Sequence, residues 1–411
     1  MITAHIIRRF TFDEWGGTEC VVWNTARTLQ SKGNRAEIFA SRALSSTGDE
    51  TRESIAIRRF PYRYPYAPLT PEKIRALDKK GGNPVVPGLR KALSDGAFDL
   101  LHCHTMGRMA LEVRAAAHKA AIPYVMSLHG GCFDVPEEEI KQMVKPLKGT
   151  IPYGNILDRL LGRRIDPMKD AGGIVCVGEN ELAPAREHFP GKPIVHIPNG
   201  VDYAHFHDAD GSSFRAKAGI PQGRKLLLCV SRIDYQKNQL ILPDVLAKLG
   251  EPWHLVLIGA ATAEWYTDKL REKIKSLGLS DRVTLIPGVP PDSPLLPAAY
   301  KAASAFLIPS LHEPFGIVVL EAWSSGAPVI ASPVGGLKTL IRDGETGLFA
   351  PAEGAPDEWA ALIRKLDEDA DFRGRITDAA DTEVREHYSW DIITDKLLDF
   401  YQEVMRIYRR R

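Results

Sequence analysis

His312-Glu313-Pro314-Phe315-Gly316-Ile317-Val318-Val319-Leu320-Glu321 sets two glutamates eight positions apart in unlike surroundings. Pro314 fixes its own φ and disfavours helical angles at the residue before it, so Glu313 belongs to a turn. Glu321 lies in the run from Ile317 to Trp323, which is otherwise apolar nearly all round. A helix apolar on every face is a buried helix, and a lone carboxylate there is costly unless something hydrogen-bonds it. Its partner is either a ligand or an internal Arg or Lys.

Outward from this stretch the chain repeats one rhythm of short apolar strand, loop and helix. Leu226–Val230, Leu255–Ile258, Val283–Ile286, Ala305–Ile308 and Val329–Ala331 read as strands, with helices such as Gln239–Leu249 and Glu264–Ser276 between them. The first half does the same. Its strands are Ile2–Ile7, Ala36–Ala40, Ile55–Arg59, Leu100–Cys103, Tyr124–Leu128, Ile174–Val177 and Ile194–Ile197, and its helices include Cys20–Gln30 and Arg108–Ala120. Such alternation predicts α/β architecture, parallel sheets with helices on both faces. A chain of 411 residues exceeds one compact core. Turn formers from Ile197-Pro198-Asn199-Gly200 to Gly223 mark the join. The expected domains are 1–200 and 201–389. The amphipathic stretch 390–411, with Ile393, Leu397, Phe400, Tyr401 and Val404 at helical spacing, is expected to pack back on the first. Two segments break the rhythm, the Pro- and Tyr-rich Phe60–Pro87 and Asp134–Arg164. They read as acceptor-side loops or as surface decoration.

The bulk numbers exclude several classes. Lys+Arg 53 against Asp+Glu 52 gives a net charge of +1, unlike the basic excess of a duplex nucleic-acid binder. The five cysteines (Cys20, Cys103, Cys132, Cys176, Cys229) are odd in number, form no CxxC and mostly sit in apolar runs. They suit a reducing cytoplasm better than a disulfide framework. Met1 to Ile7 gives way at once to Arg8-Arg9 and reads as a core strand, not a signal peptide. No apolar run reaches the roughly 18 residues of a membrane span. The expected location is cytoplasmic. The basic end Arg409-Arg410-Arg411 either suits a helix C-terminus or allows peripheral contact with the inner membrane surface.

Candidate chemistry gathers at strand ends. Val230-Ser231-Arg232-Ile233-Asp234-Tyr235-Gln236-Lys237-Asn238 follows a strand and precedes a helix, where ligands of open α/β sheets bind. Arg232, with its planar fork, and Lys237, a mobile point charge, suit a diphosphate there; otherwise they are two surface cations. Trp15-Gly16-Gly17-Thr18-Glu19 lies between the first strand and first helix, where paired glycines allow close approach and the helix N-terminus attracts an anion; otherwise the pair marks only a tight turn. A third glycine is missing from the dinucleotide fingerprint, and no GxxxxGK[ST] occurs. His129, in Ser127-Leu128-His129-Gly130-Gly131, ends a buried strand and either faces a cleft or bonds a core carbonyl. His102-Cys103-His104 puts two imidazoles on one face. Without a third ligand nearby in sequence this is a poor metal site, so the pair reads as cleft-lining or structural. Asp99 reads as a strand-start residue.

The paired glutamates resemble the signature of the retaining GT-B glycosyltransferases, in the large family that contains sucrose synthases and phosphatidylinositol mannosyltransferases. Gly326-Ala327-Pro328-Val329-Ile330-Ala331 and Gly335-Gly336 continue the resemblance. Thr339 departs from it, standing where the family often has a glutamate. The resemblance implies a fold of two Rossmann-like, doubly wound domains facing across a cleft. It places Glu313 beside the donor sugar, Glu321 on the nucleotide ribose, and Arg232 and Lys237 on the diphosphate. His129 would face donor sugar and diphosphate. Gly16 and Gly17 would meet donor phosphate and acceptor, and Val289, in the loop Leu285–Pro290, the base. Phe315, Gly316 and Ile317 complete the donor side, while Glu19 and His104 fall on the acceptor side. The implied activity is hexosyl transfer, with retention, from a nucleotide-diphospho sugar to a glycan, lipid-linked or small-molecule acceptor. No cofactor, no required metal and no nucleic-acid partner is expected. The rival readings are a nucleotide-sugar epimerase, a phosphorylase, or a non-catalytic nucleotide-sugar-binding protein on the same architecture.

Overall fold

Long stretches of β-branched and aliphatic residues buried on both faces mark a central parallel strand, and this chain builds two sheets from them. The structure, a computed structural model, describes residues 1–13, 15–130, 133, 137–160, 166–290 and 293–410. It divides into two units, Met1–Pro198 with Trp390–Arg411, and Asn199–Ser389.

The first unit holds β1 (Ile2–Arg9), β2 (Arg35–Ser41), β3 (Glu50–Arg52), β4 (Ile55–Phe60), β5 (Leu100–Cys103), β6 (Tyr124–Leu128), β7 (Gly173–Cys176) and β8 (Ile194–His196). They form one eight-stranded sheet in the order β3-β4-β2-β1-β5-β6-β7-β8. Every pair is parallel except β3 with β4. Helix Gly17–Ser31 packs Val22, Ala26 and Leu29 against Ile38 and Ile57. Helix Arg108–Ala120 packs Met109, Val113 and Ala117 with Leu101 and Met126 in a second cluster. Each such aliphatic side chain, fully buried, contributes about 1.5–3 kcal/mol before chain entropy is counted.

Helix Trp390–Tyr408 buries Leu397, Phe400, Tyr401 and Val404 in this unit. It lies so close to β7 that a Cβ on Gly173 would come within 2.5 Å of Phe400 Cζ. Lys32 Nζ reaches Asp395 Oδ1 at 2.9 Å on its outer side.

The second unit holds β9 (Lys225–Val230), β10 (Trp253–Ile258), β11 (Val283–Ile286), β12 (Ala305–Ile308), β13 (Val329–Ala331) and β14 (Leu348–Phe349). They form a six-stranded sheet, β11-β10-β9-β12-β13-β14, parallel throughout. Leu227, Leu255 and Leu257 share a core with Val245, Leu246, Leu270, Trp359 and Ile363 from the helices. Both sheets reverse winding direction once, between β1 and β5 and between β9 and β12. The crevice at the carboxyl ends of the strands beside such a reversal is where ligands of open α/β sheets bind.

The strands expected from sequence lie within a residue or two of those observed. The short β3 and β14 were not read. The helix expected from Gln239 instead opens as two 3₁₀ turns, Tyr235–Lys237 and Gln239–Ile241. The α-helix Leu242–Leu249 follows with Pro243 in its first turn, where proline is tolerated. Phe60–Pro87, expected as a loop, contains helix Pro71–Lys79, capped by Thr70 and held by Arg8, which donates to the carbonyls of Leu77 and Asp78. Asp134–Arg164 contains helices Glu137–Val144 and Tyr153–Leu160, while 134–136 and 161–165 lie outside the described residues. Asp99 does start a strand: its Oδ2 accepts from Ile2 N at 2.7 Å. Among the described residues no disulfide joins Cys20, Cys103, Cys176 or Cys229, and Cys132 lies outside the described residues. Among the described residues no helix is long and apolar enough to cross a membrane.

Candidate functional site

In the second unit two loops leave the adjacent strands β9 and β12 at the winding reversal. The β9 loop is braced from beneath. Gln239 is fully buried, and its Nε2 donates to Ser231 Oγ at 2.8 Å and to the Arg232 carbonyl at 2.7 Å. Asp234 accepts from Gln236 N at 3.1 Å and from Thr262 Oγ1 at 2.9 Å. Gly259, after β10, runs so close that a Cβ would sit 1.8 Å from the Ser231 carbonyl oxygen. On this fixed backbone the Arg232 side chain stays 44% exposed, 3.8 Å from Asp234 Oδ2. Lys237 closes the first 3₁₀ turn, and its Nζ lies 2.5 Å from Glu313 Oε2.

Glu313 is set by the glycine pair after β13. Gly336 N donates to the Glu313 carbonyl at 2.8 Å. A Cβ would lie 2.2 Å from that oxygen at Gly335 and 2.3 Å from the Pro314 oxygen at Gly336. Gly316 takes φ 99°, a left-handed conformation that favours glycine, and starts helix Ile317–Ser324. Thr339 Oγ1 donates back to the Gly336 carbonyl at 3.0 Å.

Helix Ile317–Ser324 is not buried all round, contrary to expectation. Val319, Leu320, Ala322 and Trp323 are buried, but Ile317, Val318 and Glu321 share a partly accessible stripe. Among the described residues neither an Arg nor a Lys partners Glu321. Tyr300, buried in helix Leu295–Ala302, donates its hydroxyl to Glu321 Oε2 at 2.7 Å. Apolar surroundings push the Glu321 carboxyl up to about 7, against the smaller opposing effect of that bond.

In the first unit Gly16 precedes helix Gly17–Ser31, and a Cβ there would lie 2.8 Å from Glu19 Oε2. Glu19 is buried, its Oε1 3.2 Å from Arg9 Nε. At the ends of β5 and β6, His104 Nδ1 lies 3.0 Å from His129 Nε2, and His104 Nε2 lies 3.1 Å from His5 Nδ1. His102 pairs with Tyr401 Oη at 2.5 Å and Ser127 Oγ at 2.7 Å. Burial holds all four imidazoles neutral, with His5 pushed down to about 3, His129 to about 4, and His102 and His104 well below the ordinary range.

Family models divide the chain along the same line. Glycosyl transferases group 1 matches residues 211–383, and glycosyltransferase family 4 matches residues 15–205. The chain is a group 1 glycosyltransferase. An uncharacterised glycosyltransferase of Methanocaldococcus jannaschii is 29% identical over 323 residues, covering 76% of this chain and 77% of that one. The D-inositol 3-phosphate glycosyltransferase of Acidothermus cellulolyticus is 26% identical over 407 residues, 95% of this chain and 86% of that protein. The solved structure of Anabaena HepE, in complex with UDP and glucose, superposes with a TM-score of 0.73 at 20% identity over 98% of this chain and 100% of that one. The fold is GT-B.

In this glycosyltransferase the residues expected on the donor side divide between the units: Gly16, Gly17 and His129 lie in the first, and the others lie in the second and meet only in part. Lys237 and Glu313 touch, and Glu321 and Ile317 share the open stripe of one helix. The Phe315 side chain is buried, 6.5 Å from the Tyr388 ring, which leaves its backbone for the turn. Val289 is half-buried in the loop after β11; 291–292 lie outside the described residues, as does Gly131 beside His129. The acceptor-side expectations change in character: Glu19 is tied to Arg9, and His104 has both ring nitrogens engaged. β1 supplies the third imidazole missing from the local sequence, since ligand atoms of His5, His102 and His104 lie within 4.8 Å of one another. Those rings are bonded to Thr3, Tyr401, Ser127, His129 and each other, so the cluster is a satisfied polar network and not an open ligand set. Gln239, Tyr300, Thr3 and His5 were missed. Only His5 left a signal, an imidazole inside an otherwise apolar strand.

Proposed function

We propose that this glycosyltransferase moves a sugar from a nucleotide-diphospho sugar to an acceptor hydroxyl with retention of anomeric configuration. The carrying observation is the 2.5 Å approach of Lys237 Nζ to Glu313 Oε2 from the two loops that flank the β9/β12 reversal. That puts a cation suited to a diphosphate and a carboxylate suited to sugar hydroxyls at one point, with the half-exposed Arg232 guanidinium on the same loop as Lys237. As the bond from the sugar anomeric carbon to phosphate oxygen breaks, negative charge grows on the diphosphate, and Arg232 and Lys237 stabilise it. Glu313 orients the sugar and favours its positive ring. The acceptor oxygen forms the new bond on the face the phosphate leaves, and its proton passes to the leaving phosphate. Glu321 accepts from the ribose hydroxyls. With two cations on the diphosphate, transfer proceeds without a divalent metal.

Relatives of two kinds narrow the first choices. HepE structures hold UDP, glucose and UDP-glucose, and several relatives are named for D-inositol 3-phosphate. The deciding measurement is thermal unfolding with UDP, GDP or ADP, each with EDTA and with magnesium. A nucleotide at about 100 times its dissociation constant adds about 2.7 kcal/mol, enough to move Tm by a few degrees. One nucleotide is expected to do so in EDTA; no shift with any of them sinks the donor assignment. Turnover of the matching sugar nucleotide against acceptors that include D-inositol 3-phosphate, with the product anomer read by NMR, tests retention.

A further inference from the structure

A line of hydrogen bonds crosses three neighbouring strands of the first unit. Thr3 Oγ1 lies 3.2 Å from His5 Nε2 on one face of β1, His5 Nδ1 lies 3.1 Å from His104 Nε2 after β5, and His104 Nδ1 lies 3.0 Å from His129 Nε2 after β6. These strands are adjacent in the order β1-β5-β6. A neutral imidazole has one N–H and one lone pair, so the rings must all donate in the same direction. Burial keeps each of them neutral.

One end of the line decides that direction. Thr3 Oγ1 lies 3.4 Å from the Arg35 carbonyl oxygen, which can only accept. The contact is long, yet the opposite sense would turn a hydroxyl lone pair toward that oxygen. The Thr3 proton therefore goes to Arg35, and Thr3 accepts from His5 Nε2–H. His5 Nδ1 then accepts from His104 Nε2–H, and His104 Nδ1 from His129 Nε2–H. His102, although its ring centroid is 3.9 Å from that of His104, is bonded to Tyr401 and Ser127 and stands outside the line.

We infer that Thr3, His5 and His104 are positioning residues that hold His129 as its Nε2–H tautomer, so that His129 Nδ1 accepts a hydrogen bond from a substrate hydroxyl and does not donate to a phosphate oxygen. This rests on the reading that His129 meets a substrate. It narrows that reading from sugar or diphosphate to a hydroxyl. Among the described residues His129 Nδ1 has no partner.

The test is long-range ¹H–¹⁵N correlation of the full chain labelled at histidine, with His129 assigned by its loss in His129→Gln. Wild type is expected to show His129 protonated at Nε2 alone. Thr3→Val removes the anchoring hydroxyl at nearly equal volume and is expected to give a second His129 tautomer; Thr3→Ser restores the single one. An Nδ1–H His129 in wild type overturns the inference even if Thr3→Val fails to fold, and so does an unchanged tautomer in folded Thr3→Val. On the substrate side, Thr3→Val is expected to lower kcat about fivefold, the size of one hydrogen bond, with nucleotide affinity unchanged. A shifted tautomer with unchanged kcat overturns the substrate contact. Failure of the nucleotide-sugar reading itself would show separately, as nucleotide that binds neither wild type nor variant.

Discussion

Lys237 Nζ lies 2.5 Å from Glu313 Oε2, with the two side chains only 14% and 12% exposed. The residues stand 76 positions apart and come from loops on either side of a winding reversal. Each charge has lost most of its water, so each depends on the other. A diphosphate entering here competes with Glu313 for Lys237, and a sugar entering here competes with Lys237 for Glu313. The ion pair thus keeps both groups ordered and leaves both available for exchange.

Lys237→Ala is expected to cost about 1–3 kcal/mol of stability by stranding the Glu313 carboxylate. Most of that should return in Lys237→Ala/Glu313→Gln, as read by urea denaturation. Transfer should fall about 10²–10³-fold in the single variant and stay low in the double. Arg232→Ala, at a half-exposed position, should move stability by no more than about 0.5 kcal/mol yet slow transfer by a similar factor. Wild-type turnover in both single variants would remove the diphosphate role.

Gly336→Ala tests how the Glu313 turn is held. Gly336 sits at φ −66°, so alanine meets no backbone penalty. The obstacle is the Pro314 carbonyl, 2.3 Å from the new Cβ, beside the Gly336 N–H bond to Glu313. The turn must move, and a displacement on the order of 1 Å costs about 10²-fold in turnover. Initial rates should show that loss with a cooperative unfolding transition retained. Unchanged rates would mean that the turn is not tightly set.

Gln239 braces the backbone that carries Arg232, and Gln239→Ala should lower stability by about 1–3 kcal/mol. The added signature is in binding: nucleotide affinity should fall although Gln239 is fully buried. A variant that loses stability and keeps affinity would confine Gln239 to the core.

The parallel sheets were legible because their strands are unbroken apolar runs between polar loops, as Leu226–Val230 and Ala305–Ile308 show. The Lys237 and Glu313 positions were legible because proline and strand-end placement say where a turn must be. What failed is pairing over distance. Nothing near Glu321 points to Tyr300, 21 positions earlier, because a tyrosine in an apolar helix reads as core. The stripe left open by Ile317, Val318 and Glu321 was equally invisible, since aliphatic residues look alike whether or not a neighbour covers them. The histidine line spans residues 5 to 129, and only the strand order joins them.

Glu321 gives a prediction in pH. Its carboxyl holds a proton up to about 7 in the folded protein, while in the unfolded chain it ionises near the ordinary 4.5. Between those values the folded state binds more protons, so stability falls as pH rises through the window and levels off above it. The full shift corresponds to an upper bound of about 3 kcal/mol. With part of the residue accessible, about 1–2 kcal/mol is the expected difference between wild type and Glu321→Gln across the window. In the proposed ribose-binding role Glu321 acts as the ionised carboxylate, so UDP or its active counterpart should release a proton near pH 6.5. Calorimetry in buffers of different ionisation heat reads this directly, and Glu321→Gln supplies the nucleotide's own contribution as a baseline. Tyr300→Phe removes the bond that favours the charged form, so it should raise the Glu321 pKa further and weaken binding more at pH 7 than at pH 8.5. Proton release equal in wild type and Glu321→Gln would show that the nucleotide does not reach this carboxylate.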